Sequence, residues 1–459
     1  MVPRTEAPLT IFFLEFVLVL GAILLGIRRG GVALGLIGGL GVAVLVFGFR
    51  AAPSEPPIAV MLIILAVVTA SATLQVAGGL DYLVQVAEKL LRKHPKYVTL
   101  LAPLCTFFLT VCVGTGHAVY ALLPVISDVA FRTKTRPERP MAIASVASQM
   151  GITASPVAAA VTTFLGYSAK MGTPVTIYDI LKITLPAGVV GVIAASLWSL
   201  RRGRDLYEDP EFLQRLEDPA FKQNLDVSVT TLDKKLPRTA KLSVALFFGG
   251  VLFIVALALR DTLVNAGYHL PSILPLVDGK PVPMTTVVQI VMLAFGAFIL
   301  FATNVKAADI AKSSVFTAGM IAVVSIFGIA WMSDTFVSAN KPLLVSKIGS
   351  MVQFAPWTFA LAMFCVSAFV KSQAATLTVM IPFGIALKLP ATLMLGLMPA
   401  SYAYFFFAFY PSDLAAINMD RTGTTRIGKY LLNHSFMIPG LIGVSVSTAV
   451  AYGLSRVAF

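Results

Sequence analysis

Two short polar stretches interrupt long apolar runs, and they carry residue types suited to holding an anion. Gly114-Thr115-Gly116-His117 breaks the run 98–131, and Lys371-Ser372-Gln373 breaks the run 356–388. A helix is expected to restart just after each break, near His117 and near Ala374. A helix N-terminus presents unpaired backbone N–H groups and roughly half a positive elementary charge, so it binds anions readily. Thr115, Gly116 and His117 form the first candidate contact set, Ser372 and Gln373 the second. Two such tips together offer about one charge, which falls short of the two on a dianion. Lys371, a protonated His117 or a co-bound cation is the candidate for the remainder.

A second pair of breaks lies further along each half. Ser155-Pro156 and Pro411-Ser412 are placed to interrupt spanning helices, where Thr153, Ser155 and Ser412 supply hydroxyls. Asp413 is either a coupling site for Na+ or H+, or the cap of a half-helix starting at Leu414. Glu15 is expected to have a structural or interfacial role, Asp334 to be reached by water near the outer end of its span, and Arg136 and Arg139 to set topology, with steering of anions as the alternative. No His/Asp/Glu metal set and no nucleophile motif is found, so neither an enzyme nor a resident cofactor is expected. Cys105, Cys112 and Cys365 sit in apolar runs and read as small buried hydrophobes.

The elements that hold these residues must lie in a membrane. Of 459 residues, 57% are hydrophobic and 12% charged, too few charges to cover a soluble surface. Spanning helices are expected near 9–26, 32–49, 58–77, 141–166, 178–200, 241–260, 285–303, 314–336, 392–417 and 431–455, about ten in all. The runs 98–131 and 356–388 are too long for one crossing and too short for two, and they read as re-entrant hairpins. Loops 27–31, 78–97, 131–140, 201–241, 304–313 and 418–430 then share one face and hold 24 of the 35 Lys and Arg residues. The positive-inside rule makes that face cytoplasmic and puts both termini in the periplasm. The net charge of +13 is explained by topology and does not call for nucleic acid. Surface-lying helices are expected over 80–91, with Glu88, Lys89 and Arg92 on the polar side, and over 342–352.

The two halves repeat one order of elements: three spans, a surface helix, a hairpin, a broken span, a last span. The first repeat is 1–200, with its hairpin at about 98–131 and its broken helix at about 141–166. A cytoplasmic linker, 201–240, too poor in aliphatics for its own core, leads to the second repeat, 241–459, with hairpin 356–388 and broken helix 392–417. Tip to hairpin proline is 9 residues from Thr115 to Pro124 and 10 from Ser372 to Pro382; from there to the broken-span proline is 32 and 29. Five crossings per half is an odd number, so the repeats are inverted. That pattern predicts an all-α inverted-repeat transporter with its solute site at the repeat interface.

With these residues in view, the chain resembles the anaerobic C4-dicarboxylate transporters of the Dcu A/B type. The matching stretches are ASATLQVAGGLD (70–81), AEKLLRKHPKYV (87–98), GTGHAVYALLP (114–124), RPERPM (136–141), ASPV (154–157), LDKKLP (232–237), and YPSDLAAI, DRTGTTRIGK and NHSFMIPGLIGVSVS between 410 and 447. The resemblance implies exchange or uptake of fumarate, succinate, malate or aspartate across a bacterial inner membrane. It also implies scaffold and transport domains of the ion-transporter superfamily, moving in an elevator-like or rocking alternation, and a homodimer. VGTGH is nearer the B type, which implies fumarate–succinate exchange.

Two other readings stay open. One is a cation-coupled carrier of another anion on the same scaffold, with Asp413 as its primary site. The other is a dicarboxylate sensor that signals through a partner such as a sensor kinase, with 201–241 as the contact.

Overall fold

The computed structural model describes residues 9–459 apart from 169–170, 172–174, 227–228, 266–267, 270, 272, 278–279, 409 and 431. Helices dominate the described residues, beside one two-residue strand pair, Leu276–Val277 with Lys280–Pro281. Among the described residues nine helices are long and apolar enough to cross a bilayer, and the bent pair Ala391–Phe407 with Pro411–Met419, taken as one span, makes ten. This is a multi-pass membrane protein.

The first half runs Leu9–Arg29, Ala33–Ala43, Ile58–Val76, the amphipathic Gly79–Lys93, a hairpin of Val98–Val113 and Val119–Arg132, a broken span of Glu138–Met150 and Ala159–Ser168, and Ile177–Ser199. The second runs Thr239–Asn265, Met284–Thr303, Ser314–Phe354, a hairpin of Trp357–Val370 and Gln373–Ala386, a broken span of Ala391–Leu397 and Pro411–Met419, and Met437–Ala458. Hairpin arms of 14 to 16 residues reach roughly 21–24 Å at 1.5 Å per residue, short of a hydrocarbon core of about 30 Å. Val98–Val113 is long enough to cross once the short turn Pro95–Tyr97 is added to it, yet its tip lines the same cavity as the tip of the other hairpin.

Packing repeats across the halves with roles exchanged. Ala33–Ala43 lies along Ser314–Phe354, and Met284–Thr303 lies along Ile58–Val76. The first of these crossings is backbone to backbone: a Cβ on Gly328 would fall 1.8 Å from Gly35 O. Only glycine permits that approach, the small-residue packing expected where lipid gives no hydrophobic drive.

Three expectations are corrected. The surface helix over 342–352 is not separate: Ser314–Phe354 is one helix that runs through Pro342, and the side chains of 345–353 lie outside the described residues. Glu88 is not on a solvated face. It is fully buried, because Arg92 donates to it at 2.7 Å and Thr230 and Thr231 of the linker bond it as well. The linker does build a small core, in which Leu206, Phe212 and Leu225 are buried. Arg136 bonds Asp209 of the linker and Glu138, and Arg139 donates to Arg202 O at 2.7 Å, so both arginines fasten the linker to the first broken span. Glu15, also buried, accepts from Asn340 at 2.6 Å, and Asp334 accepts from Tyr167 at 3.1 Å.

Candidate functional site

The two tips are built by the same local chemistry. At the first, Gly114 takes φ +82° and closes its helix by donating to Thr110 O at 2.8 Å. Thr115 is extended, and its Oγ1 accepts from His117 N at 3.3 Å. At the second, Lys371 takes φ +53° and donates to Ser367 O at 3.2 Å. Ser372 is extended, and its Oγ accepts from Ala375 N at 3.3 Å. A left-handed residue stops one arm and an extended hydroxyl residue caps the next, which turns the chain in two residues. Left-handed backbone costs a lysine roughly 1–2 kcal/mol, strain of the kind that collects at functional sites.

Both tips face one cavity of about 530 Å³. Thr115, Gly116, His117, Lys371, Ser372 and Gln373 line it, as does Pro411 at the start of its half-helix. Ser71 and Ser325 line the opposite wall, on Ile58–Val76 and Ser314–Phe354. The His117 ring stacks on Tyr120, with centroids 5.6 Å apart. Each N-terminus brings partial positive charge to the cavity, and Lys371 is a basic residue in its lining.

Four candidates and one proline stand behind the cavity wall. Thr153 is buried and donates to Met150 O at 3.1 Å, within its own turn. Ser155 is buried, and its Oγ accepts from Val157 N at 3.3 Å, holding the bend before Pro156. Ser412 and Asp413 are buried against Ser145, whose hydroxyl lies 2.9 Å from Ser412 Oγ and donates to Asp413 Oδ1 at 2.7 Å. Asp413 Oδ2 accepts no bond among the described residues. The second break is also longer than its proline suggested. It begins with a tight turn at Met398–Ser401 and continues to Tyr410, just before Pro411.

Among the cavity residues not singled out from sequence are Gln149, Tyr404 and Tyr410, besides Ser71 and Ser325. Gln373 Nε2 donates to Gln149 O at 2.6 Å, and the Tyr404 hydroxyl donates to Gln149 Oε1 at 2.9 Å. Tyr404 and Tyr410 pack with ring centroids 4.3 Å apart. The available signals were a full amide inside an apolar span, two residues before Gly151, and three tyrosines crowded before Pro411. Among the described residues no group of three or more His, Cys, Asp or Glu side chains is placed to hold a metal ion.

Comparison with known proteins agrees with this architecture. Over 441 residues the chain is 44% identical to the Escherichia coli anaerobic C4-dicarboxylate transporter DcuB, covering 95% of this chain and 97% of that one. It is 37% identical to the C4-dicarboxylate transporter DcuA of Wolinella succinogenes, covering 95% and 98%. A solved structure, the YdaH transporter of Alcanivorax borkumensis, matches with a TM-score of 0.58 at 14% identity over 91% of this chain and 88% of that one, so the two share a fold. These relatives are membrane transporters and not enzymes. Residues 11–459 match the family described as anaerobic C4-dicarboxylate membrane transporter, and the chain belongs to that family.

Proposed function

We propose that this protein carries C4-dicarboxylates across a bacterial inner membrane by exchange, with fumarate and succinate among its substrates. The observation that carries the reading is the convergence of two hydroxyl-capped helix N-termini on one cavity, each suited to one carboxylate. Substrate chemistry does not change; the site changes sides.

The cavity runs from the tips to the Gly30–Gly31 turn, beside Arg28 and Arg29, and to Val315. These positions belong to the basic face, which supports reading the cavity as open toward the cytoplasm and both termini as periplasmic. An asymmetry between the repeats supports this. Gln373–Ala386 packs on Ser314–Phe354, and Ala159–Ser168 packs on Ile58–Val76. Their counterparts, Val119–Arg132 and Pro411–Met419, pack on each other and on Glu138–Met150, on the transport side. Exchanging these roles closes the cytoplasmic path and opens the other, an elevator-like alternation.

A second reading, ion coupling at Asp413, has its own observation. A carboxylate buried in a spanning region, with one oxygen unpartnered among the described residues, is suited to take H+ or Na+.

Counterflow in proteoliposomes tests both. With unlabelled succinate inside, labelled fumarate outside and no ion gradient, labelled substrate is expected to accumulate, and Ser372→Ala is expected to abolish most of it. Uptake that requires an imposed sodium or proton gradient would replace exchange with coupled transport.

A further inference from the structure

We propose that Gln149 is a specificity-determining spacer: it sets the separation of the two hairpin tips and so selects substrates by chain length. This rests on the cavity being a C4-dicarboxylate site. Gln149 belongs to neither hairpin, yet it touches both tips. A Cβ on Gly116 would lie 2.3 Å from Gln149 Nε2 and 2.6 Å from its Cδ, so the first tip rests its backbone directly on the amide. At the second tip, Gln373 Nε2 donates to the main-chain oxygen of Gln149 at 2.6 Å.

The amide is held in place. Its oxygen takes the Tyr404 proton at 2.9 Å, from the break in the second broken span, and its nitrogen lies 3.3 Å from Ser148 Oγ. The residue is 1% exposed, so its side chain has no solvent to swing into. A diacid reaching between the two helix N-termini therefore meets anchors at a fixed distance. One methylene more forces the chain to buckle, and one fewer leaves a carboxylate off its N–H groups. Glycine at 116 is the complement of this spacer, because a side chain there would claim the space that the amide fills.

The test is competition by malonate, succinate and glutarate against labelled succinate counterflow in proteoliposomes. Wild type is expected to favour succinate over both neighbours by about ten-fold or more, the scale at which a single methylene is discriminated. Gln149→Ala is expected to bring the three within about three-fold of one another while succinate still exchanges, and Gln149→Met, which keeps the bulk, to hold most of the preference. If Gln149→Ala does not elute as a folded protein, Tyr404→Phe carries the test, since it releases the amide oxygen and should narrow the preference by about three-fold. Succinate exchange with an unchanged preference in these variants, or no length preference in wild type, overturns the spacer while leaving the dicarboxylate reading intact. A wild-type protein that moves none of the three diacids overturns that reading, and the spacer with it.

Discussion

The hydroxyl of Ser145, in the first half, donates to Asp413 Oδ1 of the second half at 2.7 Å, across 268 positions of sequence. The bond joins the two broken spans just behind the cavity wall and fixes one carboxylate oxygen while the other accepts nothing among the described residues. A neutral amide can keep the Ser145 bond but cannot bind a proton or cation as a carboxylate does. Asp413→Asn is therefore expected to leave counterflow within about three-fold of wild type, one hydrogen bond's worth or less. Accumulation driven by a proton or sodium gradient should be lost. Parallel counterflow and gradient-driven assays on one preparation read the two separately, and gradient-driven uptake intact in the variant would remove Asp413 from coupling.

The glycines of the first tip should fail in different ways. Gly114→Ala forces a side chain into left-handed backbone and sets its Cβ 2.6 Å from Val157 O, a main-chain atom that cannot step aside. The conformational part alone costs roughly 1–2 kcal/mol, so thermal melting of the purified protein should drop clearly. Gly116→Ala has no left-handed backbone to strain and meets the side chain of Gln149, which it must displace from its hydrogen bonds, so melting should drop less than in Gly114→Ala while exchange falls about ten-fold or more. Melting and counterflow measured together separate the two.

Lys371 occupies left-handed backbone that glycine would adopt without strain. Lys371→Gly removes a positive charge from the second tip and relieves that strain. Folding stability is expected to stay within about 1 kcal/mol of wild type, whereas the concentration of dicarboxylate for half-maximal exchange should rise about ten-fold. An unchanged half-saturation would mean that the charge does not serve the substrate.

The linker should respond to acid. Burial opposes ionisation of Glu88, but hydrogen bonds from Thr231, Thr230 and Arg92 outweigh it and hold the carboxyl below the ordinary glutamate range. A carboxyl depressed in the folded state adds stability that is complete above its unfolded value, about 4.3, and is lost as pH falls through the lower folded value. Amide hydrogen exchange over 229–234, corrected for intrinsic rates, should therefore stay slow above about pH 5 and quicken as the pH drops below about 4. Glu88→Gln should flatten that dependence; an identical profile would show that another group holds the linker.

What could be read from the sequence alone was whatever depends on neighbouring residues. Apolar run length marks spans and hairpins, because hydrocarbon thickness is fixed. Gly114 and the hydroxyl residues Thr115 and Ser372 mark the tips, because left-handed and capping backbone has local requirements. Local pattern also misled. Glu88 falls on the polar side of an amphipathic helix, yet linker residues more than 140 positions away bury it. Pro411 does stand at the bend between Ala391–Phe407 and Pro411–Met419, but the irregular stretch before it, from Met398, carried no such local mark.

Only the tertiary structure decided which polar groups share the cavity. Gln149 and Tyr404 stand 255 residues apart, and Gln149 and Gln373 224 apart. Nothing near either residue in sequence brings them together, because they meet through the packing of both repeats. The same packing put Ser155, Ser412 and Asp413 behind the wall and their neighbours Gln149 and Pro411 on it. Which face of a broken helix looks into the cavity is set by the elements packed on its other sides, and those come from the far half of the chain.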